Sequence, residues 1–273
     1  MSDEPQVALV TGASAGVGAA AVHELARRGW RVIATGRSQA KLDAVARSVH
    51  QRTGVGIECH QADFARLADV RRLAERVADR HRRLDVLANN AGLLAARRED
   101  TVDGHELTWQ VNHLAPFLLT HLLADRLGTG TRVVTTASTA HRAGSIDLTD
   151  PDFRRRRWNP FRSYCASKLA NVVFTRELAT RLRATGVVAT CFHPGTVRSD
   201  FGRSYAAYRL VRRLPWFITA ERAGGMLVAL AAEDTGLASS GGYFAGGRPA
   251  RPTMRGGADL PRRLWEYSLA EVT

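Results

Sequence analysis

The chain reads as an α/β protein, a single doubly wound, Rossmann-type parallel sheet of about seven strands with helices on both faces. Three observations predict it. Short, nearly continuous apolar runs rich in β-branched residues alternate with stretches of helical spacing, the first run ends in a cluster of glycines, and no linker or composition shift divides the 273 residues. Strands that are apolar along their whole length belong to a sheet covered on both sides, because a half-exposed strand would alternate apolar with polar positions.

The elements follow in order. VALVT (7–11) reads as the first strand, and the helical spacing after it stops at Gly29. RVIAT (31–35) precedes a helix to about residue 53, GIEC (56–59) a helix over about 66–82, and LDVLA (84–88) a helix over 104–127. RVVTTA (132–137) leads through a long loop to a helix over 162–184, and VVATCF (187–192) is the sixth strand. The stretch LAPFLLTHLLADRL (114–127) is broken by Pro116, His121, Asp125 and Arg126, which suits a core helix rather than a membrane span. No internal repeat appears beyond the βα alternation.

Composition narrows the function. The start, MSDEPQVALV, has acidic rather than basic residues before a short apolar run, so a soluble, cytoplasmic protein is expected. Three widely spaced cysteines, Cys59, Cys165 and Cys191, fit neither a disulfide framework nor a metal site. The net charge of +13 invites a nucleic-acid reading, but 37 of the 39 basic residues are arginine. With abundant Ala and Gly, that ratio reads as G+C-rich codon usage. The densest run, Arg154–Arg157, lacks the interleaved aromatics of a single-strand binder. No nucleic-acid partner is expected.

The turn Gly12-Ala13-Ser14-Ala15-Gly16-Val17-Gly18 joins the first strand to the first helix. Free N–H groups and the positive end of the helix dipole favour a pyrophosphate there, and glycines let it approach the backbone. The spacing G-x-x-x-G-x-G departs from the commoner G-x-G-x-x-G, and an ordinary tight turn would use the same residues. An NAD-binding sheet usually carries an acid after the second strand for the ribose hydroxyls. Here there is none between Arg31 and Arg37, and Arg37 stands where a guanidinium can pair with a 2′-phosphate. NADP(H) is therefore expected over NAD(H). Asp63, after the third strand in QADF, suits either an adenine contact or a helix N-cap.

Tyr164 and Lys168 lie four apart, on one face of a helix. A phenol with a pKa near 10 exchanges protons near neutrality only if a neighbouring cation stabilises its phenolate. Lys168 supplies one, and it is one of only two lysines. Ser138 follows the fifth strand at the carboxyl edge, where open α/β sheets bind ligands. Asn89-Asn90-Ala91-Gly92 ends the fourth strand on that edge, and Asn112 lies within the next helix, where asparagine either faces solvent or serves a purpose.

TGASAGVG, NNAG, Asn112, Ser138, YCASK and His193-Pro194-Gly195-Thr196 resemble, in order and spacing, the short-chain dehydrogenase/reductase family over residues 6 to about 245. ASTAHRAG, YCASKLANVVFTRELATRL, HPGTVRSD and SGGYF look most like its retinol-dehydrogenase-like branch. The resemblance implies an Asn112-Ser138-Tyr164-Lys168 tetrad. Tyr164 is then the general acid in carbonyl reduction and the base in alcohol oxidation, Ser138 holds the substrate oxygen, Lys168 lowers the tyrosine pKa and bonds the nicotinamide ribose, and Asn112 supports a proton-relay water. It further implies cofactor contacts from Gly12, Ser14, Ala15, Gly16, Val17 and Gly18, from Asp63 and Phe64, from Asn90, Ala91 and Gly92, and from Pro194, Gly195, Thr196 and Ser199. Ala137, where the branch often has serine, departs from the branch, and no leading membrane anchor of the branch's kind is expected.

The expected activity is hydride transfer between NADP(H) and a carbonyl or alcohol of an apolar, secondary-metabolite-like substrate, in a homodimer or homotetramer. Related family reactions, namely double-bond reduction, epimerisation and dehydration, remain alternatives, as does a non-catalytic NADP-binding regulator. A lid at about 199–220, with Phe201, Tyr205, Tyr208, Leu210, Val211, Leu214, Trp216 and Phe217, is expected to select the substrate, although an ordinary amphipathic helix pair fits the same pattern.

Overall fold

The computed structural model describes residues 5–197, 217–234 and 239–273. Ser199 and the expected lid residues up to Trp216 lie outside them.

Eight strands form one sheet in the order β3-β2-β1-β4-β5-β6-β7-β8. They are β1 (Val7–Thr11), β2 (Arg31–Gly36), β3 (Glu58–Gln61), β4 (Leu84–Asn89), β5 (Leu127–Thr136), β6 (Val188–His193), β7 (Tyr243–Ala245) and β8 (Arg248–Ala250). The first seven run parallel and β8 returns antiparallel. Seven strands were expected; the eighth comes from a hairpin at Gly246-Gly247. Both glycines have positive φ, +60° and +78°, as a two-residue type I′ connection requires. The strand order reverses between β1 and β4, and the register puts Thr11, Gly36, Gln61, Asn89, Thr136 and His193 along one carboxyl edge.

Alternate side chains of the central strands feed two cores. Leu9, Ile33, Leu87 and Val133 face α3 (Leu67–Arg80), α5 (Ala115–Leu122), α6 (Pro160–Arg181) and α8 (Leu260–Val272). Ala8, Val10, Val32, Ala34, Val86, Ala88 and Val134 face α1 (Gly16–Arg27), α2 (Gln39–Thr53) and α7 (Ala220–Ala232). Burial of these positions on both faces is why the strands lack a polar alternation.

Several boundaries differ from expectation. β3 starts two residues later than GIEC suggests. The helix expected over 104–127 is α4 (Leu107–Trp109), a π-helical turn (Gln110–Leu114) and α5, and Leu127 already belongs to β5. The π turn carries Asn112. α6 begins at Pro160, where the Asn159 side chain accepts from the N–H groups of Phe161 and Arg162 and proline sits in the first turn. The carboxyl-terminal α8 was not foreseen, although Leu260, Leu264, Ser268 and Val272 recur every four residues and are buried.

Candidate active site

The glycine turn is built by sterics. Gly12 and Gly16 have φ of +65° and +57°, which side chains rarely adopt. A Cβ on Gly18 would lie 2.4 Å from the Gly12 carbonyl oxygen, and one on Gly12 would lie 2.8 Å from the Cα of Ala91. The glycines thus let β1, α1 and the NNAG corner close on each other. Ala15 is the N-cap of α1 and provides no side-chain cap, so the first N–H groups of a twelve-residue helix stay available to an anion.

Thr11 and Asn90 hold the corner. The Thr11 hydroxyl donates to the Ala88 carbonyl and accepts from the N–H groups of Asn90 and Ala91 at 2.9 Å. Asn90 Nδ2 donates to the Thr11 carbonyl and its Oδ1 accepts from Thr136 Oγ1, tying β1, β4 and β5 together at their carboxyl ends. Sequence reasoning did not single out Thr11, although a buried threonine closing the first strand is the available signal.

Arg37 follows β2 on the same edge. It is exposed, and among the described residues its guanidinium has no carboxylate partner. Ser14 Oγ would be 3.1 Å from a Cβ on Gly36, which places Ser14 against the start of the Arg37 segment. An uncapped helix end, a steric glycine cradle and an unpaired guanidinium form a donor set that fits a dinucleotide with a phosphate on its ribose.

Asp63 is not the N-cap of α3; Arg66 holds that position without a side-chain bond. Asp63 Oδ1 instead accepts from the Ala65 N–H at 3.0 Å and closes an Asx-type turn. The Phe64 ring is buried in the core and its carbonyl accepts from Gln110 Nε2, so any cofactor contact falls to its backbone N–H.

On the other half of the edge stand Lys168, Tyr164, Asn112 and Ser138. Lys168 is 3% exposed, its Nζ donates to the Thr136 carbonyl at 2.9 Å, and it lies 5.7 Å from the centre of the Tyr164 ring. Burial pushes its pKa down to about 8. Asn171 Nδ2 donates to the same carbonyl at 3.2 Å. Asn112 is fully buried and pins the chain after Gly92: its Oδ1 accepts from the Leu93 N–H and its Nδ2 donates to the Leu93 carbonyl and to Ser167 Oγ. A Cβ on Gly92 would lie 3.2 Å from Asn112 Oδ1 and 3.5 Å from Lys168 Nζ, so these three converge. Ser138 caps the 3-10 turn Thr139–Ala143, its Oγ accepting from the Ala140 N–H.

A buried carboxylate, Glu106, supports this wall from behind. Glu106 accepts from the Trp109 N–H, Trp158 Nε1 and Ser163 Oγ, fastening the long loop and the first turn of α6 to α4. It escaped sequence reasoning because two of its three partners, Trp158 and Ser163, lie 52 and 57 residues away.

The edge ends at His193-Pro194-Gly195-Thr196. His193 Nδ1 is buried without a partner among the described residues, and burial first, then His141, Arg142 and Lys168, drives the ring pKa down to about 4. Gly195 at φ +91° abuts Ile218, whose N–H donates to the Thr196 carbonyl. Of the expected lid, Phe217 is buried and Thr219 is the N-cap of α7.

Residues 6–209 match the short chain dehydrogenase family. The chain belongs to the short-chain dehydrogenase/reductase family. It is 40% identical over 267 residues to a Streptomyces sp. (strain C5) protein named as a daunorubicin C-13 ketoreductase, covering 97% of this chain and 91% of that one. Human retinol dehydrogenase 13 is 35% identical over 272 residues, covering 95% and 82%. A Burkholderia cenocepacia J2315 short chain dehydrogenase crystallised with NADP superposes with a TM-score of 0.71 at 28% identity, covering 88% of this chain and 95% of that one. The family member described here is an oxidoreductase, and none of its helices among the described residues is long and apolar enough to cross a membrane.

Proposed function

We propose that this dehydrogenase/reductase is an NADP(H)-dependent carbonyl reductase for an apolar, secondary-metabolite-like or lipid-like ketone or aldehyde. The observation that carries the reading is the buried Lys168 ammonium beside the Tyr164 ring, fixed on the Thr136 carbonyl. A cation there stabilises the phenolate that remains once the phenol has given up its proton. The ketoreductase relative and the NADP-bound neighbour support the direction and the cofactor.

Arg37 and Ser14 would hold the 2′-phosphate, and Gly12, Ala15, Gly16, Val17 and Gly18 the pyrophosphate. Asp63, Phe64, Asn90, Ala91 and Gly92 would line the adenosine, while Lys168, Pro194, Gly195, Thr196 and Ser199 would face the nicotinamide end. The nicotinamide supplies the hydride when bound. Ser138 Oγ donates to the substrate oxygen, Tyr164 passes its proton to that oxygen as charge develops, and Lys168 steadies the resulting phenolate. Asn112 keeps the Leu93 backbone and Ser167 in register, so that the proton route to Lys168 keeps its shape. The carbonyl gains one hydride and one proton and leaves as an alcohol.

The experiment is a screen of NADPH oxidation by the purified chain against ketones, aldehydes and quinones of graded apolar size. Turnover of at least one carbonyl, abolished in Tyr164→Phe, is the expected result. Turnover confined to activated double bonds, or equal turnover in the variant, sinks the assignment.

A further inference from the structure

The 3-10 turn between β5 and the long loop carries a histidine that the proposed reaction does not use. His141 is 1% exposed. Its Nδ1 lies 2.6 Å from the Ser138 carbonyl oxygen, and its Nε2 lies 3.2 Å from the backbone nitrogen of Thr253. A carbonyl only accepts and a backbone N–H only donates, so the two partners dictate the ring state: neutral, with the proton on Nδ1 and the lone pair on Nε2. The ring meets Tyr243 of β7 edge-on, with centroids 4.8 Å apart. Gly144, which closes the turn, leaves no space for a side chain, since a Cβ would lie 2.4 Å from the Cys165 carbonyl oxygen. The turn is therefore clamped between α6, next to Tyr164, and the segment that follows β8.

We propose that His141 is a positioning residue for the substrate-oxygen serine, its Nδ1–H holding the Ser138 backbone while its Nε2 anchors to the Thr253 N–H. This rests on the reading of Ser138 and Tyr164 given above. The Ser138 hydroxyl already accepts from the Ala140 N–H within the same turn, so its rotor is free to donate outward only while the turn keeps its shape. Protonating His141 would set an N–H on Nε2 against the N–H of Thr253, two donors facing each other, and would loosen the turn from the C-terminal segment. The groups that face the ring are Arg142 on its own turn, His193 at the end of β6 and the Tyr243 ring on β7. Burial, and then the positive charge of Arg142, keep the ring below its ordinary value of 6.5 against the pull of the Ser138 carbonyl. The neutral form persists through neutrality, and an acid limb in turnover falls below that value.

Two substitutions separate the two ring nitrogens, because an asparagine amide overlays Nδ1 and can still donate to Ser138, whereas a glutamine amide overlays Nε2 and can still accept from Thr253. In the full-length chain, His141→Asn keeps kcat within about threefold, while His141→Gln and His141→Phe lose roughly tenfold or more in kcat with NADPH affinity unchanged. His141→Asn also flattens the acid limb. A ¹⁵N-histidine spectrum of the wild type, with the His141 signal assigned by its loss in His141→Asn, shows the Nδ1–H tautomer. An Nε2–H tautomer, equal losses in the Asn and Gln variants, or an unchanged acid limb in His141→Asn overturns the assignment. If His141→Gln does not fold, as melting and NADPH binding would reveal, the tautomer and the pH profile of His141→Asn decide the question. If the wild type shows the Nδ1–H tautomer yet turns over no carbonyl, the proposed reaction falls and takes the catalytic role of His141 with it, while the hydrogen-bond assignment stands.

Discussion

The two ends of the carboxyl edge are built from different materials. Around β1 and β4 the site is backbone and neutral groups: glycines at positive φ, the Thr11 hydroxyl bonded three ways, and Asn90 bridging three strands. Around β5, β6 and α6 it is buried ionisable groups held away from their ordinary pKa values, Lys168 down to about 8 and His193 down to about 4, with the Asn171 Oδ1 and His193 Nδ1 atoms unpartnered among the described residues. Shape suffices to cradle a diphosphate, whose charge a helix end and N–H groups can answer. Proton transfer requires groups whose charge can change near neutrality, and these are costly to bury. The β1–β4 corner should thus fail by steric insult, the second region by loss of one proton or one charge, and the exposed Arg37 after β2, the one cation on the first side of the comparison, by loss of its charge.

The largest break is expected at Tyr164. Tyr164→Phe keeps the ring against Lys168 and removes the proton, so turnover should fall by roughly 10²- to 10⁴-fold, about 3 to 5 kcal/mol on the barrier. Melting temperature and NADPH binding should stay near wild type. Full activity in a folded variant would end the proposed mechanism. At the opposite end, Arg37→Ala should weaken NADPH by roughly 1.5 to 3 kcal/mol, the worth of a charged hydrogen-bonded contact. NADH should be nearly unaffected, and equal losses for both cofactors in fluorescence titrations would remove the 2′-phosphate assignment. Gly18→Ala tests the steric half, because its Cβ meets backbone that cannot rotate aside. Overpacking of about 1 to 3 kcal/mol is expected, with NADPH and NADH weakened together. A Gly18→Ala protein as stable as wild type would show that the corner gives way more easily than the contacts imply.

The same contrast explains what could be read in advance. The glycine turn, the strands and the Tyr164-Lys168 spacing are local patterns, and local patterns survive in a bare sequence. What escaped detection depends on distant partners. Asn112 shows why: the sequence singles it out by propensity and by the family resemblance, but the partners the π turn gives it, Leu93 and Ser167, lie 19 and 55 residues away. For Asp63 only the N-cap alternative fails, and for a local reason: its carboxylate closes a turn on the Ala65 N–H, and Arg66 holds the N-cap of α3. α8 was missed despite its four-residue repeat, because exposed arginines and glycines around it hide the stripe that packs on α5 and α6.

The smallest effect is also the sharpest test of the comparison, because it predicts a gain. Lys168 carries a lowered pKa whose cause is burial alone, so the folded chain without cofactor bears the cost of an enclosed ammonium at neutral pH. The distance from the ordinary 10.5 to about 8 corresponds to roughly 3 kcal/mol. Lys168→Met removes that cost, and Asn171 Nδ2 still donates to the Thr136 carbonyl, leaving a net stabilisation of about 1 to 2 kcal/mol after the lost hydrogen bond. The sign with pH follows from linkage. Below about pH 8 both folded and unfolded chains hold the lysine proton and the burial cost is present in full; between 8 and 10.5 the unfolded chain binds the proton that the folded one has released, so wild-type stability climbs relative to the variant. Burial raises Cys165 to about 11 and Cys191 to about 12, so both thiols act in the opposite direction above their ordinary value of 9.0, and the comparison has to be wild type against variant rather than one curve alone. Denaturant melts at pH 7 and pH 10.5 should show the variant ahead at the first and behind at the second, because the roughly 3 kcal/mol regained by the wild type exceeds the variant's lead, with turnover lost at both. A variant less stable at every pH would mean that the ammonium is well solvated in place, and that both ends of the edge rest on shape after all.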